Sequence, residues 1–169
     1  MRDEVNSVLS ADTVTIVPYH ESMEDAIVAL NRIHCEELSP WVPWIEQDVR
    51  TSLRSQLKDS DFLAVAATKD EVIGYALGKL EGFYQNHAEK QATLVAIYIH
   101  PAKRRGITAI MLLDVFLSWG RDQGAIEISA GVVSHLADPE RVCRLFERRG
   151  FLKDGYLLRK LPPDAIRGE

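Results

Sequence analysis

The residues Leu94-Val95-Ala96-Ile97-Tyr98-Ile99, followed at once by His100-Pro101-Ala102-Lys103-Arg104-Arg105-Gly106-Ile107-Thr108-Ala109, decide how this chain is read. The first six are too uniformly apolar for a surface segment and predict a buried strand. The next ten form a basic, glycine-containing turn that opens a long helix. A strand that empties into a helix N-terminus aims unpaired backbone N–H groups and a positive dipole end at one point. Such corners hold phosphate oxygens. Lys103, Arg104 and Arg105 add positive charge where an anion would rest, and Gly106 permits close backbone approach. The corner reads as a diphosphate clamp.

Further along, Leu145-Phe146-Glu147-Arg148-Arg149-Gly150-Phe151 supplies a second motif. Together the two resemble the GNAT superfamily of acetyl-CoA-dependent N-acetyltransferases. The family clamp reads Arg or Gln, two variable residues, Gly, one variable residue, then Gly or Ala. Here Lys103-Arg104-Arg105-Gly106-Ile107-Thr108 keeps the glycine, with Lys and Thr at the flanking positions. Lys supplies charge without a guanidinium fork, and Thr108 brings a hydroxyl. The second motif is close to the family's Leu-Tyr-Glu-x-x-Gly-Phe. The resemblance implies an α/β (α+β) fold: a mixed, twisted central sheet flanked by helices, whose splayed central strands form a V-shaped cofactor cleft.

Composition agrees with a single domain over residues 1–169, whose first twelve residues are expected to be disordered. The chain is 46% hydrophobic and 27% charged with a net charge of −5, ordinary for a globular enzyme. The acidic balance disfavours nucleic acid as a partner. Cys35 and Cys143 sit in helical patterns without metal-ligand spacing, so no metal is expected. The N-terminus leads into no apolar run, so neither a signal peptide nor a membrane span is expected, and a cytoplasmic enzyme is the expectation.

Outward from the deciding stretch, elements alternate as in a mixed α/β domain. Residues 14–17 predict a first strand. A helix capped by Ser22 carries Ala26, Ile27, Leu30 and Ile33, and Ser39-Pro40 stops it. A second helix carries Val49, Leu53 and Leu57. Residues 62–68 and 72–80 predict a hairpin, 82–89 a polar loop, and 92–99 the central strand. The helix over 107–123 is apolar except for a stripe of Asp114, Ser118, Arg121 and Asp122, and Gly124 ends it. Residues 126–132 alternate as a strand. Asp138-Pro139 opens the last helix, Gly150 closes it, and residues 151–161 are expected to return as a strand.

Carried over by position, the resemblance implies that the pantetheine arm of acetyl-CoA pairs with the backbone of Ile97, Tyr98 and Ile99. The diphosphate would lie on Lys103, Arg104, Arg105, Gly106, Ile107, Thr108 and Ala109. A backbone N–H of the strand would polarise the thioester carbonyl. Alternation turns the Tyr98 ring away from Ile97 and Ile99. The position of the family's proton-donating tyrosine is Phe146, expected beside the thiol end of the cofactor, where it gives no proton. The family's strand glutamate is also missing, since residues 92–99 hold no carboxylate. Replacement candidates are Glu127, His135 and Tyr84, with Glu81 and Glu89 behind them. Glu127 reads first as a partly exposed strand position and only second as a group facing the cleft.

The acceptor, a primary amine of a small molecule or peptide, is expected near Trp41, Trp44 and Tyr84. Rings near Glu36 and Glu37 would attract a cation, although both tryptophans read as well as anchors for the helix-to-helix loop. The partners implied are acetyl-CoA and the amine, with a homodimer admitted. A catalytically weak acyl-CoA-binding or regulatory domain of the same fold is the alternative, and the basic turn as a nucleic-acid module is a third.

Overall fold

The computed structural model describes residues 13–56, 61–84, 86–104, 106–132 and 138–155. Five strands form one sheet in sequence order: β1 (Thr15–Pro18), β2 (Phe62–Ala67), β3 (Val72–Phe83), β4 (Asn86–Ile99) and β5 (Ala125–Ala130). The first four run antiparallel, and β5 joins β4 in parallel. The parallel pair is connected by α3 (Thr108–Asp122), the crossover that parallel pairing requires. With helices α1 (Glu24–Leu38), α2 (Glu46–Gln56) and α4 (Pro139–Glu147), this is the expected mixed sheet flanked by helices.

The sheet separates two cores. On one face α3 and α4 pack Leu112, Leu113, Phe116 and Phe146 against Phe62, Ala76, Ala92 and Leu94. On the other, α1 and α2 bring Ile27, Val28, Leu30 and Leu53 to Val65, Tyr75 and Tyr98. Gly78 is required by this packing, because a Cβ there would lie 2.4 Å from Phe116 Cε2. α1 and α2 are tied by the buried Glu24, which accepts from Arg50 at 2.8 Å and Arg54 at 2.9 Å. Those guanidinium bonds, Arg54 first, pull its carboxyl down to about 2.

Several expectations are corrected. Ser22 does not cap α1: it lies in a 3-10 turn over Glu21–Met23 whose cap is His20, and α1 follows with Met23 at its N-cap. Residues 82–89 are a hairpin rather than a loop. β3 extends to Phe83, β4 begins at Asn86, and Phe83 pairs with Asn86 around Tyr84, whose φ is 46°. Side chains exposed on both faces hid these strand ends from a burial-based pattern. A 3-10 turn over Pro101–Lys103 also intervenes between β4 and α3. At the C-terminal side Asp138 caps α4 by accepting from Arg141 N at 2.9 Å, and Gly150 takes φ +87°. Residues 151–155 form no strand. Leu57 and residues 156–161 lie outside the described residues. Among the described residues no helix is long and apolar enough to cross a membrane.

Candidate active site

β4 changes character at Val95. Leu94 pairs with Gly78 and Ala96 with Leu77, so Val95 is an extra residue bulged out of the ladder, 54% exposed. Parallel pairing with β5 ends at the same level, at Leu94 with Ala130. The bulge also reverses the alternation: Ala92 and Leu94 face the α3 core before it, Ile97 and Ile99 after it. Tyr98 faces the α1 core instead, as alternation predicts.

Beyond the bulge, β4 keeps β3 as a neighbour and loses β5. His100 N donates to Ile73 O at 2.8 Å, toward β3. Backbone groups alternate in direction along a strand, so the N–H groups of Ile97 and Ile99 lie on the opposite, open edge. The Ile99 carbonyl, on that same edge, accepts from Arg104 Nε at 3.0 Å.

The open edge ends at the start of α3. Ile107 is the N-cap and supplies no side-chain bond, so the N–H groups of Thr108, Ala109 and Ile110 lack an intrahelical carbonyl. Gly106 precedes them at φ +108°, with nothing within 4 Å of where a Cβ would stand. Ile107 is exposed, whereas Thr108 is buried. Two of the three predicted cations are paired with carboxylates: Lys103 with Glu71, and Arg104 with Glu37. Arg105 lies outside the described residues.

Behind the edge sits a polar cluster that the sequence only hinted at. Trp44 Nε1 donates to Asn31 Oδ1 at 3.0 Å, and Asn31 Nδ2 donates to the Tyr75 hydroxyl at 3.3 Å. An indole N–H only donates, so the Asn31 amide turns its nitrogen toward Tyr75. The Tyr75 hydroxyl in turn lies 2.6 Å from His34 Nδ1. The His34 ring stacks on Tyr98 with centroids 4.4 Å apart, and the Tyr98 hydroxyl donates to Glu37 Oε2 at 2.8 Å. Burial holds the imidazole down at about 4. Burial, then the bond to Glu37, pushes Tyr98 up to about 12. The Arg104 guanidinium lowers the carboxyl of Glu37. The sequence places Glu37 near the tryptophans, but its link to Tyr98 and Arg104, across more than sixty residues, leaves no sequence signal.

On the face opposite α3, Glu127 Oε1 accepts from Gln91 Nε2 at 3.1 Å, Gln91 Nε2 also reaches Ser129 Oγ at 3.1 Å, and Thr93 and Ser129 hydroxyls lie 3.2 Å apart. Glu127 is exposed on β5, and this patch ends where the strands part. The out-of-phase polar positions Gln91 and Thr93 were its legible signal. Phe146 is 6% exposed in the α3 core, its ring edge-on to Phe151 at 5.0 Å. Trp44 packs against the α1 core with Arg32 over its ring at 5.5 Å, and Trp41 lies in the turn after α1. Tyr84 stands apart: it is 78% exposed at the β3–β4 hairpin, well beyond Ala76, the cross-strand partner of Ile97, and so separated from Ile97 by roughly 25 Å at about 3.3 Å per residue. Glu81 is the cross-strand partner of Gln91, while Glu89 lies exposed on β4. His135 lies outside the described residues.

Solved structures share this fold. The fold matches a transcriptional regulator from Bacillus halodurans C-125 at 17% identity and TM-score 0.73, over 88% of this chain and 99% of that one. It matches an acetyltransferase from Trypanosoma brucei at 11% identity and TM-score 0.71, over 89% and 100%. It matches the aminoglycoside N-acetyltransferase AAC(6')-Iy in complex with CoA at 16% identity and TM-score 0.70, over 89% and 95%. At such identities the likeness is one of fold. No curated protein sequence is a match for this chain. The model of the acetyltransferase (GNAT) family matches residues 27–151, from within α1 through both motifs to Phe151, and the chain belongs to that family.

Proposed function

We propose that this chain is an N-acetyltransferase that passes the acetyl group of acetyl-CoA to a primary amine of a small molecule or peptide, by direct attack within a ternary complex. The observation that carries the reading is the open edge of β4 beyond Val95, leading to the uncapped N-terminus of α3. The pantetheine arm supplies the strand that β5 ceases to supply after Ala130. The N–H groups of Ile97 and Ile99 are the donors on that edge, suited to polarise a thioester carbonyl. The diphosphate rests on the backbone from Arg104 to Ala109, where the N–H groups of α3 point outward.

Two proton transfers accompany the reaction. The amine, with a pKa near 10 in water, must be neutral to attack; the tetrahedral intermediate then collapses with loss of the CoA thiolate. Phe146 has no proton to give. A thiolate, from a thiol of pKa near 8.5, leaves without an acid, so catalysis rests chiefly on positioning. Glu127, within the patch beside the parting strands, is the candidate for relaying the ammonium proton through water. Among the described candidates it is better placed than Tyr84.

The test is thiol release from acetyl-CoA, followed with DTNB, across a panel of amines, with hydrolysis lacking any amine as the control. The expected result is amine-dependent release that climbs with pH toward the acceptor's own pKa, and a loss smaller than about a hundredfold for Glu127→Gln. CoA binding without release for any amine would instead favour a regulatory acyl-CoA-binding domain. Phe146 and the carboxylate-free stretch 92–99 are the observations on that side.

A further inference from the structure

Glu37 occupies an unfavourable place. It lies in the last turn of α1, beside Glu36, and that turn holds no basic residue. A carboxylate there faces the negative end of the helix dipole. The compensating cation comes from Arg104, in the turn between β4 and α3. Arg104 Nη1 donates to Glu37 Oε1 at 2.6 Å and Nη2 donates to Oε2. Its Nε donates to the Ile99 carbonyl at 3.0 Å, and the guanidinium lies over the Tyr98 ring, 5.2 Å from its centroid. The Tyr98 hydroxyl donates to the same Oε2 at 2.8 Å. Each nitrogen of the planar fork is therefore engaged. Swinging the guanidinium onto a phosphate would strip Glu37 of its fork and leave a carboxylate close to the incoming anion.

We propose that Glu37 is a positioning residue for the acyl donor: it holds the Arg104 side chain on the open edge of β4, so that Arg104 sets the Ile99 peptide and the turn before α3 and does not itself ligate phosphate. This rests on the reading of that edge and turn as the CoA site. It divides the clamp into two parts. The backbone N–H groups around Gly106 meet the anion, while the adjacent guanidinium fixes where they stand relative to Ile97 and Ile99.

The consequence runs against simple electrostatics. Removing a negative charge beside an anion site strengthens anion binding by Coulomb attraction alone, and freeing Arg104 would add to that gain if Arg104 were a phosphate ligand. Loss of a positioning residue does the opposite. In calorimetric titration, Glu37→Gln is expected to weaken CoA about tenfold, the effect of one charged hydrogen bond. Arg104→Lys is expected to weaken it as much as Arg104→Gln, since an ammonium keeps the charge but cannot hold a carboxylate fork and a carbonyl together. Unfolding transitions recorded alongside identify any variant that has lost its fold; Tyr98→Phe, which removes one of the bonds to Glu37, then replaces it, with a smaller weakening expected. Unchanged or tighter CoA binding in folded Glu37→Gln, or full rescue by Arg104→Lys, overturns the proposal. Absence of CoA binding by the wild-type chain would refute the site reading instead, and so is told apart.

Discussion

Lowering the pH should unlock the centre of this fold through one side chain. His34 is partly buried, and its Nδ1 lies 2.6 Å from the Tyr75 hydroxyl at the end of the chain from Trp44 through Asn31. A proton on Nδ1 would face a hydroxyl that also receives from Asn31. Burial is the main reason that the folded imidazole sits at about 4 against an ordinary 6.5; Glu37 opposes the shift and Arg104 adds to it. Above pH 6.5 the ring is neutral in both folded and unfolded chains, and the full stability is present. As pH falls from 6.5 toward 4 only the unfolded chain takes up the proton, so stability drains away across that window. At about 1.4 kcal/mol per pH decade, the complete loss is about 3 kcal/mol, most of it gone by pH 4.5. Urea unfolding of the wild type and of His34→Phe, from pH 7.5 to 4.5, measures it. The phenyl ring keeps the stack on Tyr98 and removes the titration, so its constant cost cancels when slopes are compared. The wild type is expected to lose about 2–3 kcal/mol more than the variant over that range. Parallel pH profiles, or an imidazole titrating near 6.5 by NMR, would refute the reasoning.

Three further outcomes are expected. Gly78→Ala places a methyl 2.4 Å from Phe116 Cε2 and 2.9 Å from Cδ2, and the overpacking should cost about 1–3 kcal/mol in denaturant unfolding. Gly106→Val meets no neighbour but forces a branched residue to φ +108°; the fold should survive a strain of about 1–3 kcal/mol while calorimetry shows weaker CoA binding. Phe146→Ala empties a site in the α3 core and should destabilise by about 3–5 kcal/mol, whereas Phe146→Tyr should keep or raise turnover in the thiol-release assay.

The local signals in the chain determined most of the elements. The apolar run 94–99 marked the central strand, Asp138-Pro139 marked the start of α4, and the alternation of Ile97, Tyr98 and Ile99 gave the side of the sheet each would face. These are short-range properties, written in spacing and capping chemistry. The basic turn with Gly106 was legible for the same reason, since a helix N-terminus and a left-handed glycine are properties of a few consecutive residues. Three things belonged to the tertiary structure. The bulge at Val95 left no trace in a run where every residue is apolar, because both parities look alike. The partners of Lys103 and Arg104 could not be read: these two cations, expected to face the anion, are paired with Glu71 and Glu37. Tyr84, near the central strand in sequence, was carried to the distant end of a hairpin by strand ends whose side chains are exposed on both faces. An ion pair or a register is a relation between distant segments, and it acquires a definite energy only once the sheet and helices bring those segments to one place.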